Sequence, residues 1–271
     1  MSKFNLTRIE NGQKLRTSDV GQLLESKSIK SETWLFVSPH DDDLAIGAAL
    51  LMQAGVQAGV NVQVLVVTDG SQGYCTAEQK DSIVEIRRAE MFESFEILGI
   101  AHQKVHVIGY PDCGLMPFQG RRPARGGETS IAGHVGLQNA FTYFLRHVRP
   151  DRVFVPTPTD LHPDHQIAHN ELMISLFHAG GAIWPELGAP LAHVPKPYEL
   201  AVYCDFLDAP NIEVRSDESA FEKKLQCIAA YKSQVQIAGL VENVRKAGAY
   251  EYVRELAFKL YSADRYKSAF A

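Results

Sequence analysis

Hydrophobic residues along the chain fall into short runs rich in β-branched and aromatic side chains, each closed by turn residues. They read TWLFVS from Thr33, VQVLVVTDG from Val62, KVHVIGY from Lys104, DRVFVPT from Asp151 and ELAVYCD from Glu199, and such runs predict strands. Between them lie longer stretches with helical spacing of apolar positions: Leu44 to Val60, Thr76 to Leu98, Ile131 to Val148 and His165 to His178. Two more follow the last strand, Glu218 to Val235 and Gly248 to Tyr261. Met1 to Lys30 alternates polar and charged residues without an apolar core.

Strands that alternate with helices of this length predict β-α-β units. The expected fold is α/β: a Rossmann-like three-layer sandwich with a mainly parallel sheet and helices on both faces. No internal repeat divides the 271 residues, so a single domain is expected over 1–271. Ala179 to Tyr198 and the C-terminal helices are its irregular or variable parts. In such sheets ligands gather beyond the carboxyl ends of the strands. The four ends here read SPHDDD, TDGSQGYC, GYPDCGL and PTPTDLHPDH, all rich in polar and ionisable residues. Chemistry is therefore expected on one rim.

Composition narrows the partners. Net charge is −5 with no dense Lys/Arg tract, which argues against a nucleic-acid partner. No segment has the apolar length of a membrane span. Cys75, Cys113, Cys204 and Cys227 lie far apart with no C-x-x-C pair, so a disulfide framework or thiolate zinc site is not expected, and a cytoplasmic setting fits. A homo-oligomer remains open.

Two motifs carry the chemistry. Asp41, Asp42 and Asp43 follow His40 directly, and three adjacent carboxylates repel one another. Asp43, at the mouth of the helix beginning near Leu44, can cap it, which accounts for one acid. A divalent cation removes the repulsion: His40 and Asp43 can share it, leaving Asp42 beside it and free. The second motif, HPDH, sets His162 and His165 at the entry to a helix. His165 and His169 share the zincin spacing, but Gln166 stands where that motif needs Glu. His40, Asp43 and one histidine of the second motif form the N/O ligand set of a catalytic zinc with an open position. Two imidazoles favour one Zn²⁺ over Mg²⁺, with Fe²⁺ or Co²⁺ as substitutes.

The ordered set PHDDD, VTDGSQG, RRAEMFESFEILGI, GYPDCGL and HPDH resembles the PIG-L (LmbE-like) N-acetylglucosaminyl deacetylases over most of Thr33 to His178. The resemblance implies a Rossmann-like fold, one zinc and hydrolysis of an N-acetyl group on a small-molecule amino-sugar conjugate. It assigns His40, Asp43 and His165 to the metal, Asp42 to the general base and His162 to the tetrahedral intermediate, a task helped most by a protonated ring. Arg87 and Asp112 match positions of substrate contact. Asp164 either holds the His162 ring or shapes the turn after Pro163. Leu44 and Cys113 depart from the pattern, which usually has Glu and commonly Gly there. Two other readings stand beside this one: another metal hydrolase such as a phosphoesterase, and a non-catalytic Rossmann-like module. The latter lacks a G-x-G-x-x-G turn after its first strand.

Overall fold

Alternate residues of one strand divide the molecule into two cores. In β3 (Thr33–Ser38), Trp34 and Phe36 point to one side, and Leu35 and Val37 to the other, because successive side chains of a strand alternate faces. The computed structural model describes residues 3–257 and 261–270. In chain order its strands are β1 (Phe4–Glu10), β2 (Gln13–Thr17), β3, β4 (Asn61–Thr68), β5 (Val105–Tyr110), β6 (Arg122–Pro123), β7 (His134–Val135), β8 (Arg152–Pro156), β9 (Lys196–Leu200), β10 (Ile212–Ser216) and β11 (Tyr250–Glu255). Its α-helices are α1 (Val20–Leu23), α2 (Asp43–Gly47), α3 (Ala49–Ala58), α4 (Ile83–Ile97), α5 (Leu137–Val148), α6 (Pro163–Gly180), α7 (Glu218–Ala229), α8 (Ile237–Ala247) and α9 (Asp264–Lys267).

Helices α2, α3, α4 and α7 cover the Trp34 face through Leu44, Met52, Phe95 and Ile228, all buried. On the other face Phe141 and Leu145 of α5 meet Leu172 and Leu176 of α6. Phe36, Phe154 and Tyr198 stack across three neighbouring strands, with centroids 4.3 and 4.9 Å apart. Truncating such a buried ring to Ala typically costs ~3–5 kcal/mol.

The nine-stranded sheet runs β2-β1-β10-β11-β9-β8-β3-β4-β5. Pairings from β9 through β8, β3 and β4 to β5 are parallel. Those from β9 through β11, β10 and β1 to β2 are antiparallel. The expected three-layer α/β sandwich is present, but its sheet is mixed, because strands outside the expected pattern extend the parallel block. β1 buries Phe4, Leu6 and Arg8 on alternate positions. β11 replaces the helix expected from Gly248: in YEYVRE the exposed Tyr250 and Tyr252 alternate with the buried Glu251 and Val253, at a strand's period of two. Residues 258–260 of that expectation lie outside the described residues.

Other boundaries also shift. The helix expected over Leu44 to Val60 breaks at Ala48 into α2 and α3. The one expected from Ile131 starts at Leu137, after the β6–β7 ribbon and Gly136, whose φ of +124° suits glycine. The Glu199 strand begins earlier, at Lys196, and α8 occupies a stretch for which no helix was expected.

The irregular 179–198 stretch is tied down rather than free. Buried Arg146 on α5 donates to six backbone carbonyls, those of His178, Ala179, Gly181, Ile183, Trp184 and Gly188, at 2.8–3.3 Å. The Arg121 guanidinium lies 4.8 Å over the Trp184 ring. Arg146→Met removes the side-chain partner of all six; the carbonyls of His178, Ala179 and Trp184 keep a backbone N–H, while those of Gly181, Ile183 and Gly188 lose this donor. The expected cost is about 3–5 kcal/mol, read in thermal melts as a Tm fall of roughly 10 °C; an unchanged Tm would show that the loop holds itself.

Candidate active site

β3 and β8 are neighbouring parallel strands, so the turns at their carboxyl ends meet, although His40 and His165 are 125 positions apart. The PHDDD turn is locked from inside. Ser38 Oγ donates to the His40 carbonyl, and the Asp43 carboxylate folds back to accept the His40 N–H at 2.7 Å. The side chain expected as a helix cap is therefore drawn into the site, where Asp43 Oδ1 has no hydrogen-bond partner.

Three donor atoms converge here. His40 Nδ1 lies 3.1 Å from His165 Nε2 and 3.4 Å from Asp43 Oδ2, and His165 Nε2 lies 3.2 Å from the same oxygen. His165 and Asp43 are completely buried and His40 nearly so. Two facing imidazole nitrogens at this distance cannot both carry a proton between them. A tetrahedral ion with bonds of 2.0–2.1 Å has ligand–ligand edges of about 3.3–3.4 Å, so the triangle fits a metal.

The surrounding charge points the same way. Burial alone lowers an imidazole pKa, yet Asp43, with Asp112 and Asp164, holds His40 well above its ordinary value, and Asp43 with Asp160 raises His165 to about 9. Burial raises the Asp43 carboxyl, but His165 and His40 more than offset it and the group sits far below the usual range. The cluster therefore draws positive charge. Among the described residues, the ring nitrogens of His40, His162 and His165 lie within 4.8 Å of one another, as do donor atoms of His40, Asp112 and Asp164. This is a His/Asp group that can bind a metal.

The remaining expected residues take particular places. Asp42 is partly exposed and lines a cleft of about 560 Å³ together with His40, Arg87, Asp112 and His162. Burial and neighbouring Asp43 raise its carboxyl, against the pull of Arg87. Arg87 is buried in a two-pronged pair with Asp41, its Nε 2.9 Å from Asp41 Oδ2, and its Nη2 lies 3.4 Å from Asp42. Its guanidinium is thus bonded to the acidic run, not freely offered to substrate. Gly70 and Gly73 allow this: a Cβ would stand 2.8 Å from Asp41 Oδ2 and 2.2 Å from Arg87 Nη1 respectively.

Asp112 Oδ1 faces His40 Nε2 at 3.2 Å, while Oδ2 accepts the Gln72 N–H. Burial raises this carboxyl, but the His40 ring pulls it down to about 2. Asp112 therefore backs the His40 ring as well as lining the cleft. Asp164 does not hold the His162 ring with its carboxylate. That group accepts the Leu115 N–H at 3.2 Å and lies 3.5 Å from His40 Nε2, while the Asp164 backbone N–H caps His162 Nδ1 at 3.2 Å. With Nδ1 accepting, a neutral His162 carries its proton on Nε2, which lies 3.5 Å from Cys113 Sγ at the cleft. Burial, then His40 and His165, lower the His162 pKa and favour that neutral form over the expected protonated one. Cys113 sits at φ +58°, a conformation that favours glycine.

Three contributors were given no role from the sequence. Asp41 gives Arg87 its partner. Asp160, fully buried, places Oδ2 3.3 Å from His165 Nδ1 and accepts the N–H groups of His162 and Tyr203; its place two residues before HPDH was the available signal. Tyr203 stacks on the His165 ring at 5.4 Å. Partners of this kind fix ring orientation, so Asp160→Asn is expected to weaken metal affinity by about 10–100-fold in a competition titration. Unchanged affinity would reduce Asp160 to a turn-former.

Fold and cluster together define an α/β protein with a His/Asp group that could hold a metal at the carboxyl rim of its sheet. Residues 35–176 match the family described as PIG-L: GlcNAc-PI de-N-acetylase, and the chain belongs to that family. It is 29% identical over 138 residues to diacetylchitobiose deacetylase of Thermococcus kodakarensis, covering 49% of this chain and 45% of the relative. It is 28% identical over 163 residues to 1D-myo-inositol 2-acetamido-2-deoxy-alpha-D-glucopyranoside deacetylase of Kineococcus radiotolerans, covering 54% and 45%. The chain spans about half the length of the curated relatives it matches. The fold is also that of N,N'-diacetylchitobiose deacetylase from Pyrococcus horikoshii, with a TM-score of 0.67, 23% identity, and coverage of 88% of this chain and 90% of that one. No helix among the described residues is long and apolar enough to cross a membrane.

Proposed function

We propose that this chain, acting as one domain, is a zinc-dependent hydrolase that removes the N-acetyl group from an N-acetylglucosamine-type amino sugar. The observation that carries this reading is the 3.1–3.4 Å triangle of His40 Nδ1, His165 Nε2 and Asp43 Oδ2 beside the partly exposed Asp42. His40, Asp43 and His165 would hold the ion. His162 is a poorer ligand, because its Nδ1 caps α6 and its Nε2 carries the proton. Zinc held there would supply Lewis acidity, enough to lower the pKa of water from about 15.7 toward ~7.

The chain's own groups do the rest. Asp42 accepts the proton of the attacking water, and its raised pKa brings it nearer the working range of a base. The His162 Nε2–H donates to the carbonyl oxygen as negative charge gathers there. When the C–N bond breaks, Asp42 passes its proton to the leaving amine, giving acetate and the free amino sugar. Arg87 is a positioning residue, since its bonds to Asp41 hold the acidic turn and its Nη2 steadies Asp42.

The test is release of acetate and a primary amine from N-acetylglucosamine conjugates by zinc-loaded protein, run beside a phosphate ester. Cleavage of the ester alone would replace this reading with the phosphoesterase one. His162→Ala should lower kcat by on the order of a hundred- to a thousandfold with zinc content unchanged. Loss of zinc instead would move His162 into the ligand set.

A further inference from the structure

The turn between α7 and α8, Tyr231 to Gln234, lies beyond the 35–176 stretch that matches the family, yet it is built into the acidic turn. Tyr231 is completely buried and donates its hydroxyl proton to the Asp41 carbonyl at 2.5 Å. Buried Ser233 gives both its N–H and its hydroxyl proton to the Glu90 carboxylate, each at 2.7 Å, one turn of α4 from Arg87. Gln234 Oε1 accepts the Tyr74 N–H at 3.0 Å and holds that wall of the cleft. One turn thus clasps the PHDDD loop, α4 and the cleft wall together.

Asp42 depends on such support. Its carboxylate is partly exposed and comes no nearer to Arg87 Nη2 than 3.4 Å, too long for a firm hydrogen bond. Its direction is therefore set by the backbone. On the far side α2 fixes that backbone, since the Asp42 carbonyl accepts the N–H groups of Ala45 and Ile46. On the near side the peptide group leading into Asp42 is the one whose carbonyl Tyr231 holds. Asp41 is gripped twice, its carboxylate by Arg87 and its carbonyl by Tyr231.

We infer that Tyr231 is a positioning residue of the hydrolysis: its hydroxyl fixes the peptide plane between Asp41 and Asp42 and so aims the Asp42 carboxylate at the attacking water. This rests on the deacetylase reading above. A hydroxyl that merely satisfies the core costs stability when removed, whereas one that aims a base costs kcat while KM is kept. Tyr198 supplies the comparison. It is equally buried, and its hydroxyl accepts from Arg152 at the amino end of β8, away from the site.

Tyr231→Phe and Tyr198→Phe each keep the ring and delete the hydroxyl, and each should lower the Tm by about 2–4 °C. In zinc-loaded protein acting on N,N'-diacetylchitobiose or phenyl N-acetylglucosaminide, Tyr231→Phe should lower kcat by about ten- to a hundredfold. Its KM, and its zinc affinity in a competition titration, should stay within about twofold of the native values. Tyr198→Phe should leave kcat within about twofold. Added to Asp42→Asn, Tyr231→Phe should cost less than about twofold more, because the group it aims is gone. A native kcat in Tyr231→Phe overturns the inference alone. So does an equal kcat loss in Tyr198→Phe, a full-sized loss on top of Asp42→Asn, or a loss carried by KM or by zinc affinity. A Tyr231→Phe chain that fails to fold makes the hydroxyl a structural prop and overturns it too. If the native protein releases acetate from neither substrate, the deacetylase reading falls first and the inference with it.

Discussion

Asp42→Asn should keep its zinc and lose about three to four orders of magnitude in kcat, the span usually carried by a positioned general base together with the acid step it later performs. The substitution is close to isosteric, so the turn is expected to persist. Asp43 still accepts the His40 N–H, and Arg87 keeps its two-pronged pair with Asp41. What disappears is an acceptor that can take a proton from water and return it to the amine. The side chain is partly exposed and its strongest contact is a 3.4 Å approach to Arg87 Nη2, so little stability should be lost. Steady-state kinetics with metal analysis on the same sample decides the matter. Turnover within tenfold of the native rate would remove Asp42 from the chemistry.

Removing the ion is the second large effect. His165→Gln keeps the volume of a fully buried side chain but withdraws one corner of the donor triangle and breaks the Asp160 contact. Both this variant and chelated native protein should show no measurable deacetylation, and zinc should restore only the latter. A second readout is independent of turnover. A ligand that binds the folded state alone stabilises it by RT ln(1 + [L]/Kd), about 2.7 kcal/mol at a hundred times Kd. Zinc should therefore raise the Tm of stripped native protein and leave that of His165→Gln nearly fixed. A Tm rise of equal size in both would place the ion elsewhere.

Much of this arrangement was legible in the sequence because it is local. The parallel strands announce themselves as runs such as TWLFVS, and the rim rule places both motifs beyond their ends without knowledge of any contact. The illegible parts are relations between distant residues. Nothing near Asp41 says that its partner is Arg87, 46 positions on. The antiparallel half of the sheet is built from short, mostly polar strands, such as QKLRT, whose pairing partners decide their conformation. His162 shows the same limit: its type and spacing suggested a donor, but only the backbone N–H on Nδ1 fixes which nitrogen holds the proton.

β3 and β8 lie side by side, yet the chain travels through β4, α4, β5, the β6–β7 ribbon and α5 before returning. From β4 onward that excursion supplies cleft walls such as Tyr74 and Cys113 but none of the three donor atoms, which belong to His40, Asp43 and His165. Exchanging loop segments of that excursion while keeping Asp112, which backs the His40 ring at 3.2 Å, is thus a route to new specificities with the reaction centre left standing, much as a tool head is swapped on a fixed handle.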